Sequence, residues 1–166
     1  MIDQKTYRDA MARLGAAVNV VTTDGSAGRH GLTVSAVCSI TDEPPSLMVC
    51  VNRRSRSHAM MTENGVLCVN VLAGRHEALS MAFAGRAEVD ADRFAGGAWT
   101  SLATGCPVLE DAVVAFDCKI TLSRYIGTHS AFLCEVQAIR TSDGAEGLIY
   151  FDRAFHRIGA PSLQAL

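Results

Sequence analysis

The chain opens with a helical pattern of apolar positions. Near the N-terminus they recur at the spacing of one helix face, at Tyr7, Ala10, Met11 and Leu14. This spacing predicts a helix over residues 7–14, and Gly15 is placed to be its C-cap. A second, short helix should open at the polar residues 52–57 and stop at Asn64-Gly65, and a third should cover Glu77–Ala84 and close at Gly85.

The remaining apolar segments alternate with the period of two that is typical of strands. The clearest run, Leu32–Thr41, predicts one strand, with an apolar face formed by Leu32, Val34, Ala36, Cys38 and Ile40. Further strands are expected at Val18–Thr23, Ser46–Val51, Val66–Leu72, Ala112–Leu122, Ala131–Ile139, Leu148–Phe151 and Phe155–Ile158. About seven or eight short strands with two or three inserted helices indicate a mainly β, antiparallel barrel rather than a βαβ sheet.

Length and composition describe one globular domain. The chain has 166 residues, of which 49% are hydrophobic and 19% charged, so a single domain over residues 1–166 with an ample core is expected. The longest apolar runs, such as Leu47–Val51, have five residues, whereas a membrane-spanning helix needs about 20. The N-terminus lacks the basic-then-apolar order of a signal peptide, so we expect a soluble, cytoplasmic protein without a membrane partner.

Charge and cysteine content exclude further classes. Fifteen Lys and Arg against 17 Asp and Glu give a net charge of −2, which leaves no broad basic surface for nucleic acid. The six cysteines contain no C-x-x-C, and we expect reduced, buried thiols. No His/Cys group has zinc spacing, so no metal is expected. Rossmann, Walker, zincin and nucleophile-elbow motifs are also absent from the sequence.

Two segments carry polar chemistry suited to a ligand. Thr33 and Ser35 place hydroxyls on one side of a strand, where they can bond the edge of a planar heteroaromatic ring; the alternative is an ordinary solvent-facing side. The turn of residues 52–57 places Arg53, Arg54 and Arg56 just before a helix, which suits a phosphate. The alternative is a solvated basic turn in which a serine caps the helix.

Two shorter segments leave the same kind of choice open. Gly127-Thr128-His129 lies between two strands, and its histidine is either a ligand-facing side chain or a surface residue. Phe83-Ala84-Gly85 either faces a ligand or is simply the end of a core helix with its C-cap.

Several of these segments occur together in the order of a known family. The blocks are Tyr7–Met11, Ala17–Thr23, Gly31–Ser39, Pro44–Asn52, Cys68–Leu72, Phe83–Gly85, Gly127–His129 and Leu148–Phe151. The chain resembles the short-chain flavin reductases of two-component monooxygenases, and among them the reductase components of the 4-hydroxyphenylacetate 3-monooxygenase type. The flavin-dependent cob(II)yrinic acid a,c-diamide reductases share most of these blocks.

The resemblance implies a Greek-key split β-barrel that forms a homodimer and binds FMN or FAD near the subunit interface. It implies that the isoalloxazine ring lies along the strand Thr33, Val34, Ser35 and Ala36. It also implies that the ribityl chain and phosphate are held by Val51, Asn52, Arg53, Arg54, Ser55 and Ser57. Phe83, Ala84 and Gly85 would close over the cofactor, and His129 would position the nicotinamide.

The activity implied is an NAD(P)H:flavin oxidoreductase that passes reduced flavin to a partner oxygenase of the 4-hydroxyphenylacetate type. Two alternatives stay open at this point, a corrinoid reductase and a non-catalytic flavin-binding protein. Many family members have an aspartate where this chain has Thr128, so the role of His129 is carried over and that of the aspartate is not.

Overall fold

Twelve strands and three α-helices make up the part of the chain that the computed structural model describes, residues 1–86, 92–144 and 146–159. The helices are α1 (Gln4–Met11), α2 (Arg56–Asn64) and α3 (Glu77–Met81). The strands are β1 (Ala16–Ala17), β2 (Asn19–Thr23), β3 (His30–Val34), β4 (Val37–Asp42), β5 (Pro45–Asn52), β6 (Val66–Val71), β7 (Trp99–Ser101), β8 (Pro107–Leu109), β9 (Val114–Ile126), β10 (His129–Thr141), β11 (Gly147–Phe151) and β12 (Ala154–Ile158).

A seven-stranded antiparallel sheet organises the molecule, in the order β3-β2-β6-β9-β10-β5-β4. Its two edge strands, β3 and β4, are neighbours in sequence, with only Ser35 and Ala36 between them. The edges therefore lie close together although they share no hydrogen-bonded ladder, and the sheet curls into a barrel split along this seam. A three-stranded sheet, β1-β11-β12, and a β7-β8 hairpin complete the fold.

Two apolar clusters lie on opposite faces of the barrel wall. The interior cluster joins side chains from six strands and is closed at one end by Met61 of α2. The exterior cluster packs α3 and β8 against the outside of β2. Val21 belongs to the first cluster and Val20 to the second, because successive side chains of a strand point to opposite faces. Strand β2 is therefore buried on both faces and contributes side chains to both apolar clusters.

The first helix differs from the sequence prediction. It covers Gln4–Met11 because the Asp3 carboxylate accepts a hydrogen bond from Thr6 N at 2.9 Å and so starts the helix earlier. It ends at Ala12, so the expected Gly15 cap is wrong. Its apolar side is not buried in this chain, and Tyr7 is 58% exposed.

The predicted strand Leu32–Thr41 is two strands rather than one. After β3 ends at Val34, Val37 N donates a hydrogen bond to Ser35 O at 3.0 Å, which forms a tight turn. The turn reverses the alternation, so that Val37 packs against the interior cluster while Ile40 is 47% exposed. The expected apolar face is therefore correct only up to Val34.

The other predicted elements are present with shifted ends. The helix that stops at Asn64 is confirmed, and Gly65 adopts the left-handed conformation of a C-cap. The strands β9 and β10 have 13 residues each, longer than predicted, and the short β1, β7 and β8 had no periodic signal. The six cysteines are free thiols, and Cys38 is exposed. Among the residues described, no helix has the length and apolar character needed to cross a bilayer.

Candidate active site

An elongated cleft runs along the outer side of β3. One part, a cavity of about 370 Å³, is lined by His30, Leu32, Thr33, Ser55, Arg56, Ser57, Phe83, Ala84, Gly85 and Arg93. The other part, of about 310 Å³, is lined by Val18, Thr33, Ser35, Met81, Ala84, Tyr150, Arg153 and Phe155. Thr33 and Ala84 belong to both linings, so the two cavities adjoin each other, and together we call them the main cleft. We call its first part the cationic end and its second part the aromatic end.

The cationic end is built on the first turn of α2. Ser55 caps this helix, since its Oγ accepts a hydrogen bond from His58 N at 3.1 Å. Asn52 shapes the preceding turn: its Oδ1 accepts from Arg54 N at 2.9 Å, and its carbonyl accepts from Ser55 N at 3.0 Å. The first N–H groups of a helix lack acceptors within it and carry partial positive charge, so the turn presents an anion-binding end to the cleft.

The guanidinium groups of Arg56 and Arg93 add positive charge to the cationic end of the cleft. Burial lowers the pKa of His30, and the positive charges of Arg93 and Arg56 lower it further. His30 is therefore neutral at pH 7, and its Nδ1 lies 2.7 Å from Ser57 Oγ. The residues that line this end, taken from the described part of the chain, include no carboxylate. Two arginines, a helix N-terminus and hydroxyls suit the phosphate of a flavin mononucleotide.

The turn Phe83–Gly85 packs against β3 and forms another wall of the cleft. Phe83 is 1% exposed and lies 5.0 Å from Phe94 and 5.7 Å from Trp99 between ring centroids, so it is a core residue. Ala84 and Gly85 follow it and line the cleft. Gly85 has φ 79°, a conformation that favours glycine. Phe83 is therefore a core residue that also borders the cleft, while Ala84 and Gly85 belong to its lining.

The strand Thr33–Ala36 meets the cleft through only part of its length. Thr33 and Ser35 line it, but the Thr33 hydroxyl donates to Ser80 O and so ties β3 to α3. Val34 is buried in the barrel interior and Ala36 is exposed, and neither side chain lines the main cleft. Val51 is likewise a core residue at 1% exposure.

A second cavity, of about 420 Å³, lies beside the turn of residues 52–57, which we call the arginine turn. We call this second cavity the arginine cavity; it is lined by Arg53, Arg54, His58, Tyr125, Gly127 and Thr128. The Arg53 guanidinium lies 4.3 Å from the centre of the Tyr125 ring, and Arg53 N donates to Thr128 O at 3.0 Å. The structure therefore does not bring Arg53 and Arg54 together with Ser55 and Ser57 in one cavity.

His129 directly follows Thr128, a lining residue of the arginine cavity, but is not itself part of that lining. It follows Thr128 in the β9-β10 turn and lies opposite Asn52 in the pairing of β10 with β5. Its side chain is exposed, and its Nδ1 lies 2.9 Å from Thr128 Oγ1. This placement leaves the imidazole free to contact a ligand that spans the hairpin.

Several cleft residues escaped the sequence analysis. His30, Arg93 and the pair Arg153 and Phe155 lie far from one another in the chain and belong to no motif, so only the folded barrel brings them to one cleft. Tyr150 lies in one of the blocks that carry the family resemblance, but that block points to no role for it.

The structure is a split barrel of the mainly β class, as the sequence predicted, and its cationic helix end and aromatic pocket have a chemistry that suits a flavin. The family model described as flavin reductase like domain matches residues 11–159. The chain belongs to this flavin reductase family. The expected family, fold and enzyme class, a flavin reductase, are thereby confirmed.

Three known proteins illustrate the similarity. FMN reductase (NADH) RutF from Variovorax paradoxus is 55% identical over 161 residues, which cover 97% of this chain and 89% of that protein. The NADH:FAD oxidoreductase SgcE6 of Streptomyces globisporus, solved with NAD and FAD fragments, is 27% identical with a TM-score of 0.86, covering 99% of each chain. BorF, the flavin reductase component of a bacterial two-component tryptophan halogenase, is 26% identical with a TM-score of 0.87, covering 95% of this chain and 99% of that one.

Proposed function

We propose that this protein transfers a hydride from NADH to FMN. The observation that carries the proposal is the main cleft, in which a cationic end and an aromatic end adjoin each other beside one strand, β3. The names of the relatives agree with the ligands expected from the sequence, FMN or FAD with NADH or NADPH. The relative at 55% identity favours FMN and NADH among these pairs.

The phosphate of FMN belongs at the cationic end of the cleft. Arg56 and Arg93 supply charge there, and Ser55 and Ser57 hold the first turn of α2 in place. A hydrogen bond to a charged group contributes about 1.5–3 kcal/mol, so loss of one guanidinium should weaken FMN by tenfold or more. Arg53 and Arg54 serve the neighbouring arginine cavity, where a second anionic group, such as the pyrophosphate of NADH, can bind.

The protein's part in the reaction is to bind and orient. The hydride chemistry is that of the two cofactors, from nicotinamide C4 to flavin N5. The main chain of Thr33–Ala36, together with Asn52, aligns the flavin. Ala84 and Gly85 cover the flavin and exclude water. The buried side chains of Val34 and Val51 anchor the two strands in the barrel. His129 positions the nicotinamide from the β9-β10 turn, where its side chain is exposed. Correct placement of two reactants can supply several kcal/mol of a reaction barrier.

The functional unit is a homodimer. The edge strand β4 is unpaired on its outer side, and an apolar groove of about 350 Å³ between β4 and the long strands includes Val37, Phe116, Val136 and Ile139. A second copy would cover both the unpaired edge and the groove. Light scattering at the mass of a single chain, with full activity, would contradict this assignment.

Reduced flavin passes to a partner oxygenase. BorF, which shares this fold, is the reductase component of a two-component halogenase, and this supports a role as one half of such a system. The sequence resemblance points to a partner of the 4-hydroxyphenylacetate 3-monooxygenase type. A coupled assay with that oxygenase, in which NADH and FMN must sustain hydroxylation, tests this choice.

The free state of the six cysteines agrees with a cytoplasmic location. The family match over residues 11–159 supports a single domain.

The primary test is NADH oxidation by the purified protein with FMN, FAD or riboflavin in excess. We expect turnover with FMN, and the absence of turnover with every flavin would leave a flavin-binding protein without activity. Arg56→Ala should weaken FMN tenfold or more and leave riboflavin unchanged, because riboflavin lacks the phosphate. The matched variant Arg53→Ala/Arg54→Ala should leave the affinity for FMN nearly unchanged. If it weakens FMN selectively instead, the phosphate lies in the arginine cavity.

The corrinoid reductase is less favoured, because the 55% identical relative carries the name of an FMN reductase. Anaerobic addition of cob(II)yrinate diamide to the FMN- and NADH-loaded protein tests this alternative. Corrinoid reduction faster than the release of reduced flavin would favour it.

A further inference from the structure

We propose that Tyr150, Arg153 and Phe155 of the β11-β12 hairpin hold the ring system of the flavin at the aromatic end of the main cleft. This inference rests on the proposed function and adds residues to the same site. Neither the sequence motifs nor the family match assigns these three side chains a role. All three line the aromatic end together with the apolar side chains of Val18 and Met81.

The hairpin offers a ready aromatic surface. Tyr150 and Phe155 are direct partners in the pairing of β11 with β12, and their ring centroids lie 5.5 Å apart in an edge-to-face arrangement. Phe155 is half-buried against the exterior cluster, which fixes its ring, whereas Tyr150 is 37% exposed. An exposed aromatic face beside a fixed one suits a planar heteroaromatic ligand, because flat rings gain from stacked and edge-to-face contacts.

The same hairpin supplies polar donors. Its turn consists of Asp152 with φ 47° and Arg153 with φ 63°, a two-residue turn that fits the twist of the two strands. The Arg153 guanidinium pairs with Asp9 of α1, and Asp152 N donates to Ala12 O at 2.6 Å, so α1 holds the hairpin at the cleft. A guanidinium has five N–H donors and Asp9 takes few of them, so donors remain for the carbonyl edge of a flavin.

The geometry of the cleft orients the ligand. In FMN the phosphate and the ring lie at opposite ends of the ribityl chain, and the cationic and aromatic ends are joined through Thr33 and Ala84. With the phosphate beside Arg56, the ring lies beside Tyr150. The Thr33 hydroxyl already donates to Ser80 O, so the polar donors for the ring come from the hairpin and from main-chain groups.

The test compares two ligands at the two ends of the cleft, using fluorescence titration of FMN and of lumiflavin, which is the ring without ribityl chain or phosphate. Tyr150→Ala should weaken both ligands by a similar factor of about five to ten. Arg56→Ala should weaken FMN alone. Tyr150→Phe, which keeps the ring, should restore lumiflavin binding to near the wild-type level. Phe155→Leu, which keeps a large apolar side chain but removes the ring, should also weaken both ligands.

The matched control is Phe151→Ala. Phe151 is the next aromatic residue on β11 but points to the opposite face, where its ring lies 5.9 Å from His156, so both ligands should bind as in the wild type. Wild-type binding of lumiflavin by Tyr150→Ala would overturn the inference, as would a variant that changes only the KM for NADH. Failure of the wild type itself to bind or reduce FMN would instead contradict the proposed function.

Discussion

The Nε2 atom of His58 lies 2.8 Å from the hydroxyl of Ser130, and this buried contact joins the first turn of α2 to β10. The imidazole also stacks on Phe132, with ring centroids 5.3 Å apart. On the opposite side of the same turn, Ser57 binds His30 of β3. The N-terminal end of α2 is therefore fixed to two separate strands of the barrel. These contacts hold the main cleft and the arginine cavity at a fixed position relative to each other.

Removal of the Ser130 hydroxyl should destabilise the protein. In Ser130→Ala, the nitrogen of His58 loses its partner within a site that is 8% exposed, and an unsatisfied buried polar group costs about 1–3 kcal/mol. Urea unfolding measures this loss. The control is Ser123→Ala, because the Ser123 hydroxyl is buried without a hydrogen-bond partner and its removal should be neutral or stabilising. Equal effects of the two substitutions would show that the His58 contact contributes nothing.

Stability should fall as the pH decreases below about 6.5. Burial lowers the pKa of His58 from its ordinary value of 6.5, and the charge of Arg53 lowers it further; burial, Arg93 and Arg56 do the same for His30. The unfolded chain binds protons near pH 6.5 while the folded protein still has both imidazoles neutral, so acid favours unfolding in this window.

Urea unfolding at about pH 7.5 and about pH 5.5 measures this loss. His58→Gln, whose side chain is neutral at every pH, should reduce the difference between the two free energies of unfolding. The control is the same substitution at His156, which is exposed at the surface of β12. A pH dependence that His58→Gln leaves intact would assign the effect to other groups.

Close packing of β3 on the Phe83–Gly85 turn should matter for both stability and binding. A Cβ atom at Gly31 would lie 2.7 Å from Phe83 Cε1 and 3.2 Å from Val21 O, so Gly31→Ala forces the turn away from β3. We expect a loss of about 1–3 kcal/mol in stability and weaker FMN binding, because Ala84 and Gly85 line the cleft. Gly15→Ala is the control, since its Cβ would meet atoms no closer than 3.7 Å. Unchanged FMN affinity in a folded Gly31→Ala protein would contradict the role of this turn.

His129 should affect the nicotinamide and not the flavin. Its side chain is exposed at the β9-β10 turn and is not part of the main cleft, so His129→Ala should leave the dissociation constant of FMN unchanged. The KM for NADH should rise, or kcat/KM should fall about tenfold, which corresponds to about 1.4 kcal/mol of lost positioning. Steady-state kinetics at saturating FMN make the measurement, with Thr128→Ser as the conservative neighbour. Loss of FMN binding in His129→Ala would place this residue in the flavin site instead.

The arginine turn shows how far local sequence reasoning reaches. The polar residues 52–57 and the pair Asn64-Gly65 correctly predict a helix between them, because the signals that start and end a helix lie within one or two turns of its ends. The same reasoning places Arg53 and Arg56 at one phosphate. In the structure they line different cavities, because the turn winds between them and each side chain meets a different part of the barrel.

The strand Leu32–Thr41 shows the opposite case, in which a strict pattern misleads. The alternation of its residues is unbroken, yet the chain must pass from one edge of the sheet to the other at Ser35-Ala36 in order to close the barrel. The two-residue turn changes which side chains of the following strand point to the barrel interior, and no local signal in the sequence marks that change.

The sequence by itself determined the β class, the capped helix α2, the family resemblance and the two segments that meet at the cationic end, since these depend on short-range periodicity and on ordered motifs. Only the tertiary structure decided that His30, Arg93, Tyr150 and Arg153 share a cleft with them. The physical reason is that curling of the sheet and docking of the β11-β12 hairpin depend on contacts between distant residues. Those contacts are set by the burial of two apolar clusters on the two faces of β2, and not by any pattern within a single segment.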